Sequence, residues 1–271
     1  MKESDEKEKR LELKEDYYAL TWCSFITKYQ VEYALTQDEV YGHFFKCTFI
    51  CLIQMLLIVL VFIGIEKDLS KEVTPTLLMM RFICLLILHI QIEQEVRQTL
   101  SMFKYQNNHP GKFKDCFAGD STLLPATLVV VMQLGSSIAT EVISLLLIMD
   151  ATSEKDCLMN FLAIQIVSQI DEIYFSTIRR EPLKEAVTEN SPEINNSTKM
   201  LRASGRSKAQ WGARKLYKAF KFLHATYFYF LPLLIPIIAF MSPELQYIQD
   251  LAQDIQDQLI NPSNNGTTPA Y

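Results

Sequence analysis

The residues able to do chemistry in this chain sit inside its most apolar stretches. In "MQLGSSIATEVISLLLI" (Met132–Ile148), Gln133, Ser137, Thr140, Glu141 and Ser144 fall on one face of a helix, flanked by Gly135, Ser136 and Ala139. In "FLAIQIVSQIDEIYF" (Phe161–Phe175), Gln165, Ser168, Gln169 and Glu172 share a second face, while Asp171 turns toward the side of Asn160. A charged group in an apolar helix costs ~2.5–3.5 kcal/mol at mid-membrane, so it faces the bundle interior. Two chemistries fit these stripes. Hydroxyl and amide groups can hydrogen-bond across a tight helix seam, with Asp171 and Glu172 marking a helix end and facing Arg179 and Arg180. Alternatively the stripes line a polar path for an ion, and the two carboxylates form a mouth that attracts cations.

Two further groups belong to the same problem. Arg81 lies ~7–8 Å and Glu141 ~12 Å from one end of their segments, by helical rise. These depths predict an Arg81–Glu141 ion pair between neighbouring helices. His89 and Glu93 reach the level of Asp171 and Glu172, and an imidazole at that level can titrate near neutral pH. A hydrogen-bonded, non-titrating His89 is the competing reading.

Five apolar segments must position these groups: Cys47–Ile65, Thr76–Ile92, Leu123–Met149, Cys157–Phe175 and His224–Met241. Roughly 20 apolar residues cross a hydrocarbon core as a helix. The first segment runs 19 residues without a charge. This clustering, more than the 49% hydrophobic content or the mean hydropathy of +0.08, predicts an all-α, polytopic transmembrane bundle of five spans.

Loop charges then orient the chain, because Lys and Arg accumulate on the cytoplasmic side. With the N-terminus inside, 22 Lys and Arg fall on the cytoplasmic side and 3 on the other, Arg81 being within a span. The expectation is a cytoplasmic N-terminus and an external or lumenal C-terminus. The sequon at Asn265–Thr267 is usable only there, and those at Asn195 and Asn196 should be silent. Pro232 and Pro236 leave open a re-entrant fifth segment. The opening "MKESDEKEKRLELKED" is too charged for a cleaved signal peptide, which leaves targeting to the first span.

The chain divides into residues 1–46, a cytoplasmic arm and helix; 47–175, four spans; 176–222, a linker and basic helix; 223–241, the fifth span; and 242–271, an acidic tail. Residues 1–16 read as a charged arm outside the fold. Tyr18, Trp22, Phe25, Tyr29 and Tyr33 then recur at helical steps. Such a stripe suits an amphipathic helix on the inner leaflet, or equally a helix packed on the chain's own loops. "TQDE" (Thr36–Glu39) is a capping box that starts the helix entering the first span. "NNHPGKF" ends the helix that follows the second span. Arg202, Arg206, Lys208, Arg214, Lys215, Lys218 and Lys221 form a basic, aromatic-laced stretch just before the last span. Anionic lipid headgroups, at ~1 kcal/mol per basic residue, suit it better than nucleic acid.

Nothing invites catalysis. HExxH, GxSxG, GxxxxGK[ST] and GxGxxG are all absent, and four His are too few for a metal cluster, so no metal and no cofactor are expected. The six Cys form no CxxC pair, and most fall in or beside predicted spans. Cys47, at a membrane edge, is either a palmitoylation site or an inert buried thiol.

"NHPGKF" (Asn108–Phe113), "MQLGSSIATEVISLLLI", "MNFLAIQIVSQIDEIYF" (Met159–Phe175) and "EPLK" (Glu181–Lys184) resemble a multi-pass membrane family common in ciliate protists. The resemblance covers roughly residues 100–190. It implies that Gln133, Glu141, Asn160, Asp171 and Glu172 belong to a shared pattern, and it brings no catalytic or binding residues with it.

The leading functional expectation is an ion channel or transporter component whose path uses the second to fourth spans, alone, as a homo-oligomer or with other membrane subunits. Its rival is a non-transporting structural or assembly subunit with all polar groups satisfied by neighbouring helices. A receptor would need an external domain larger than these loops provide.

Overall fold

The computed structural model describes residues 13–64, 74–114, 122–178, 182–189, 212 and 214–227, and every regular element among them is helical. In order these are α1 (Tyr17–Ser24), α2 (Thr27–Glu32), α3 (Gln37–Ile63), α4 (Pro75–Asn108), a 3-10 turn (Pro110–Lys112), α5 (Leu123–Asp150), α6 (Glu154–Ser168), α7 (Ile170–Thr177) and α8 (Pro182–Glu189), with a further helical stretch over 214–227.

Local sequence explains where the long helices begin. Thr36 and Glu39 form the capping box expected of "TQDE", each bonding the other's backbone N–H. Thr74 caps α4, with Pro75 at the first helical position, where its missing N–H costs nothing. Ser153 caps α6 through the Asp156 N–H. "NNHPGKF" does end α4, at Asn108.

α3, α4 and α5 have 27, 34 and 28 residues and are long and apolar enough to cross a membrane. At 1.5 Å per residue even α3 reaches ~40 Å, against a hydrocarbon core of ~30 Å. Their outward faces are apolar: Phe49, Leu52, Leu56, Leu60 and Ile63 on α3, and Met79, Ile83, Ile87 and Ile90 on α4, are exposed at helical spacing. Water would not tolerate so continuous an apolar face on a monomer, and lipid does. The three helices are compatible with an integral membrane protein.

Two expectations about the spans change. The segment Cys157–Phe175 is not one helix, because its hydrogen-bond ladder breaks at Gln169, which closes α6 and opens α7. The Gln169 backbone, at φ −97° and ψ 7°, lies off the helical minimum, so α6 alone is only 15 residues long. Of the fifth segment, only residues 224–227 are described. The remainder, with Pro232 and Pro236, lies outside the described residues, as do 1–12, Cys116, the three sequons, Arg179, Arg180, Arg202, Arg206, Lys208 and the tail.

The N-terminal region differs most from expectation. All eight residues of α1 are buried, with Tyr17, Tyr18, Leu20 and Trp22 at 0–1% exposure. A helix on a lipid surface keeps one face in water, and α1 keeps none. It lies among α3, α5, α7 and α8, parallel to α4 and antiparallel to α5. Trp22 donates its indole N–H to Gln106 on α4, and Thr122 beside α5 donates to the Phe25 carbonyl. Trp22 also meets Tyr105 and Phe113 edge-on or tilted. The aromatic stripe thus faces protein and not the leaflet, but its partners are chiefly bundle helices where the second reading had the chain's own loops, and Phe25 and Ile26 interrupt it before α2. Tyr33 alone of the five aromatics is only partly buried.

α8 covers this arrangement from one side through Leu183 and Val187. Lys184 donates to the Ile178 carbonyl at the end of α7 and stands 4.9 Å over the Phe175 ring. Cys47 is buried at 1% exposure, which favours the inert-thiol reading, and Cys23, Cys51, Cys84 and Cys157 are likewise buried and free.

Candidate functional site: a buried ionisable cluster

The site forms where α1 enters the bundle. Asp16 caps α1, accepting the Ala19 N–H at 2.6 Å through Oδ1. Its second oxygen, Oδ2, accepts from Gln133 Nε2 on α5 at 3.1 Å and from Gln98 Nε2 on α4 at 3.5 Å. Two residues earlier, Lys14 Nζ meets Glu95 Oε1 of α4 at 3.1 Å and also Glu172 of α7. Glu95 uses its other oxygen to accept from Ser137 on α5 at 3.1 Å. On the α3 side, Tyr18 donates to Gln54 Oε1 at 2.7 Å, and Gln54 Nε2 donates to Asp171 Oδ1 at 3.1 Å. Two carboxylates, Glu95 and Glu172, thus meet a single ammonium, with the carboxyls of Asp16 and Asp171 nearby.

Electrostatics follow from that imbalance. Burial is the largest influence on Asp16 and, with Glu95 and Glu172 nearby, pushes its carboxyl up to about 7, against the opposing pull of the Ala19 N–H and Lys14. Burial pulls the Lys14 ammonium down, but Glu95 and Glu172 together outweigh it and hold it above the usual lysine range. Lys14 is therefore a fixed positive charge, and Asp16 a group that titrates near neutral pH.

A second buried pair lies further along α4 and α5, where His89 Nδ1 and Glu141 Oε1 stand 2.8 Å apart. This replaces the expected Arg81–Glu141 bridge. Arg81 instead donates to the Ala151 carbonyl, 2.7 Å away, just past the end of α5. The helices are antiparallel, so moving eight residues from Arg81 to His89 and ten from Ala151 to Glu141 covers ~12 and ~15 Å. Equal depth belongs to His89 and Glu141, and Arg81 stretches the opposite way, to a carbonyl at the negative end of the α5 dipole.

The remaining sequence-predicted residues divide. Gln133, Ser137, Asp171 and Glu172 join the cluster. Ser144 bonds back to the Glu141 carbonyl. Thr140 lines a crevice with Ile58, Val61, Ile143, Ile164 and Val167 that offers ≈ 10 Å³ to water, no more than one molecule needs. Gln165 and Gln169 are only partly buried and stay outside the cluster, and Asn160 donates to the Leu147 carbonyl. Glu93 pairs with Arg97 and His224 on another face of α4. Among the described residues, no three His, Cys, Asp or Glu side chains converge at metal-ligand spacing.

Sequence reasoning missed Lys14, Asp16, Gln54, Glu95 and Gln98. Asp16 did carry a signal: a carboxylate immediately before an aromatic, helix-forming run is an N-cap. Gln54 was the one amide in an otherwise apolar span.

Comparisons with models of protein families, with curated proteins and with solved structures found no match for this chain.

Proposed function

We propose that this protein is a component of a cation channel or transporter, with a path along α4, α5 and α7. One observation carries the reading: buried ionisable groups follow one another along the α4–α5 seam, from Asp16 with Gln133, through Glu95 with Ser137, to His89 with Glu141. Intramembrane groups of this kind mark ion or proton paths more often than they stabilise a fold, because burying them is costly. Of the five residues singled out by the family resemblance, Gln133 and Glu141 lie on this seam, and Asp171 and Glu172 lie in the cluster at its α1 end. Five spans, a cytoplasmic N-terminus and an external C-terminus complete the proposal, with α6 and α7 together as the fourth, broken span. It includes no enzymatic step.

The helix over 214–227 fits a role at the membrane surface. Tyr217 is buried against Phe103 of α4, which leaves Lys218 and Lys221 exposed to meet anionic headgroups.

The rival reading, a structural subunit, draws support from the same contacts. Gln133, Ser137 and Glu141 each find a partner within the chain, and the Thr140 crevice is too narrow for a hydrated ion. Flux in reconstituted vesicles separates the two. On the transport reading, wild-type vesicles pass cations and Glu141→Gln, which keeps the shape of the side chain, lowers the flux at least ~10-fold, as loss of ~1.4 kcal/mol of stabilisation would. Equal flux with and without the protein, under several gradients, assigns it to the structural class.

A further inference from the structure

The contacts of Lys14 place a positive charge at the one point where carboxylates of α4 and α7 meet. Glu95 and Glu172 both touch its ammonium, and Asp16 and Asp171 stand behind them. Lys14 comes from the N-terminal arm, whereas every group it touches belongs to the bundle. Close by, Gln133 is 97% buried, and its Oε1 has no hydrogen-bond partner although its Nε2 is engaged by Asp16. A carbonyl oxygen left over beside a carboxylate is a ligand suited to a cation. We infer that Glu95 and Glu172, with the field of Asp16 and Asp171, form a site for a small monovalent cation, and that the Lys14 ammonium fills it as a tethered substitute, closing the path.

The geometry specifies the ion class and the moving part. Two carboxylates, not three, converge on the ammonium, which suits a singly charged ion rather than a divalent metal. α1 itself cannot be the gate, since withdrawing it would expose Tyr17, Tyr18, Trp22 and Phe25 together. Leu13 is buried in the core on one side of Lys14 and Asp16 on the other, so the Lys14 side chain is the part left to move. Glu15 is exposed and the Lys14 side chain keeps 30% of its surface, while Asp16 is anchored on the Ala19 N–H, Gln133 and Gln98. With the backbone held at Leu13 and Asp16, the partly exposed Lys14 side chain swings away from Glu95 and Glu172 by rotation about its own bonds. When Lys14 leaves, the carboxylates must take a free cation or protonate, because buried Asp16, Glu95 and Asp171, with partly exposed Glu172 beside them, cannot all stay charged.

The role as a gate rests on the transport reading above, but the site is tested separately from it. Lys14→Gln removes the charge and leaves a polar, uncharged side chain one atom shorter. Full-length protein in detergent is melted in sodium or potassium chloride and in N-methyl-D-glucamine chloride at equal ionic strength. The variant should melt ~2–4 °C below the wild type in the bulky cation and recover in sodium or potassium. The wild type and Lys14→Arg should not distinguish the buffers. Lys14→Gln with Glu95→Gln should lose the salt response, because the surplus carboxylate is gone. In vesicles, Lys14→Gln should pass the same cation ~10-fold faster than the wild type, for a barrier lowered by ~1.4 kcal/mol. Salt recovery without faster flux keeps the cation site and removes the gate. A Lys14→Gln protein as stable as the wild type in N-methyl-D-glucamine, or equally weakened in every buffer, overturns the inference whatever the flux.

Discussion

At the end of the bundle away from α1, the helices meet through Leu77, Leu85, Leu88, Ile148 and Ile164. Arg81 reaches out to a helix-end carbonyl, and exposed Glu154 accepts from Thr74 and Thr76, clasping the starts of α4 and α6. At the α1 end, the chain inserts its own N-terminal segment between the helices and surrounds it with amides, carboxylates and one ammonium. A dry seam holds helices together by close packing. A seam filled with ionisable groups needs a further reason, because burying each of them has to be offset by partners. The contrast sets a dense polar seam in the α1 half, with the buried His89–Glu141 pair between it and the apolar end that keeps α4 and α5 in register.

The comparison breaks most visibly at Trp22. Trp22→Ala, which removes a fully buried side chain and strands Gln106, should cost ~3–5 kcal/mol of stability. Phe49→Ala on the exposed face of α3 should stay within ~0.5 kcal/mol. Unfolding in detergent followed by circular dichroism measures both, and a Trp22 effect as small as that of Phe49 would place α1 outside the core. Next in size is the His89–Glu141 pair. Glu141→Leu should cost ~1–3 kcal/mol by leaving His89 without its carboxylate, and adding His89→Leu should recover part of the loss. Additive losses in that cycle would mean the two do not interact.

The third expectation concerns pH. Burial raises Asp16 from 3.8 to about 7, so between those values the folded chain holds a proton that the unfolded chain releases. The contribution of Asp16 is present below pH ~4 and is lost as pH rises toward ~7. Asp16→Asn keeps the cap and should flatten that slope in a pH series of melting temperatures. An unchanged slope would put the Asp16 carboxyl in contact with water. The smallest effect belongs to the entry of α3, where Thr36→Ala should cost ~1 kcal/mol and leave the cluster intact. Differential scanning calorimetry near neutral pH, where Glu39 is charged, would register it.

Much of the frame was legible in the sequence, for physical reasons. Apolar runs at Cys47–Ile65, Thr76–Ile92 and Leu123–Met149 can only be long helices, and Thr36 with Glu39 and "NNHPGKF" punctuate them by local hydrogen bonding alone. The stripe on α5 was legible too, since helical periodicity fixes which residues share a face. Partners were not, because they depend on register. A shift of two turns separated the expected Arg81–Glu141 bridge from the observed His89–Glu141 pair. Gln169 shows a second limit, as nothing in its type announces the break between α6 and α7. Periodicity also could not choose between lipid and protein for the aromatic face of α1, since both reward the same side chains. Lys14 and Asp16 were hidden by composition: twelve of the first sixteen residues are charged, and only three-dimensional contact separates those that enter the bundle.

Fluorescence of Trp22 tests the central claim most directly, because the chain has only two Trp and Trp211→Phe leaves Trp22 alone. In vesicles of brominated lipids, and separately with aqueous iodide, a Trp22 held between α4 and α5 should keep nearly all of its emission. Strong quenching by bromine near the headgroups would put α1 on the bilayer surface and dissolve the cluster built around Asp16 and Lys14.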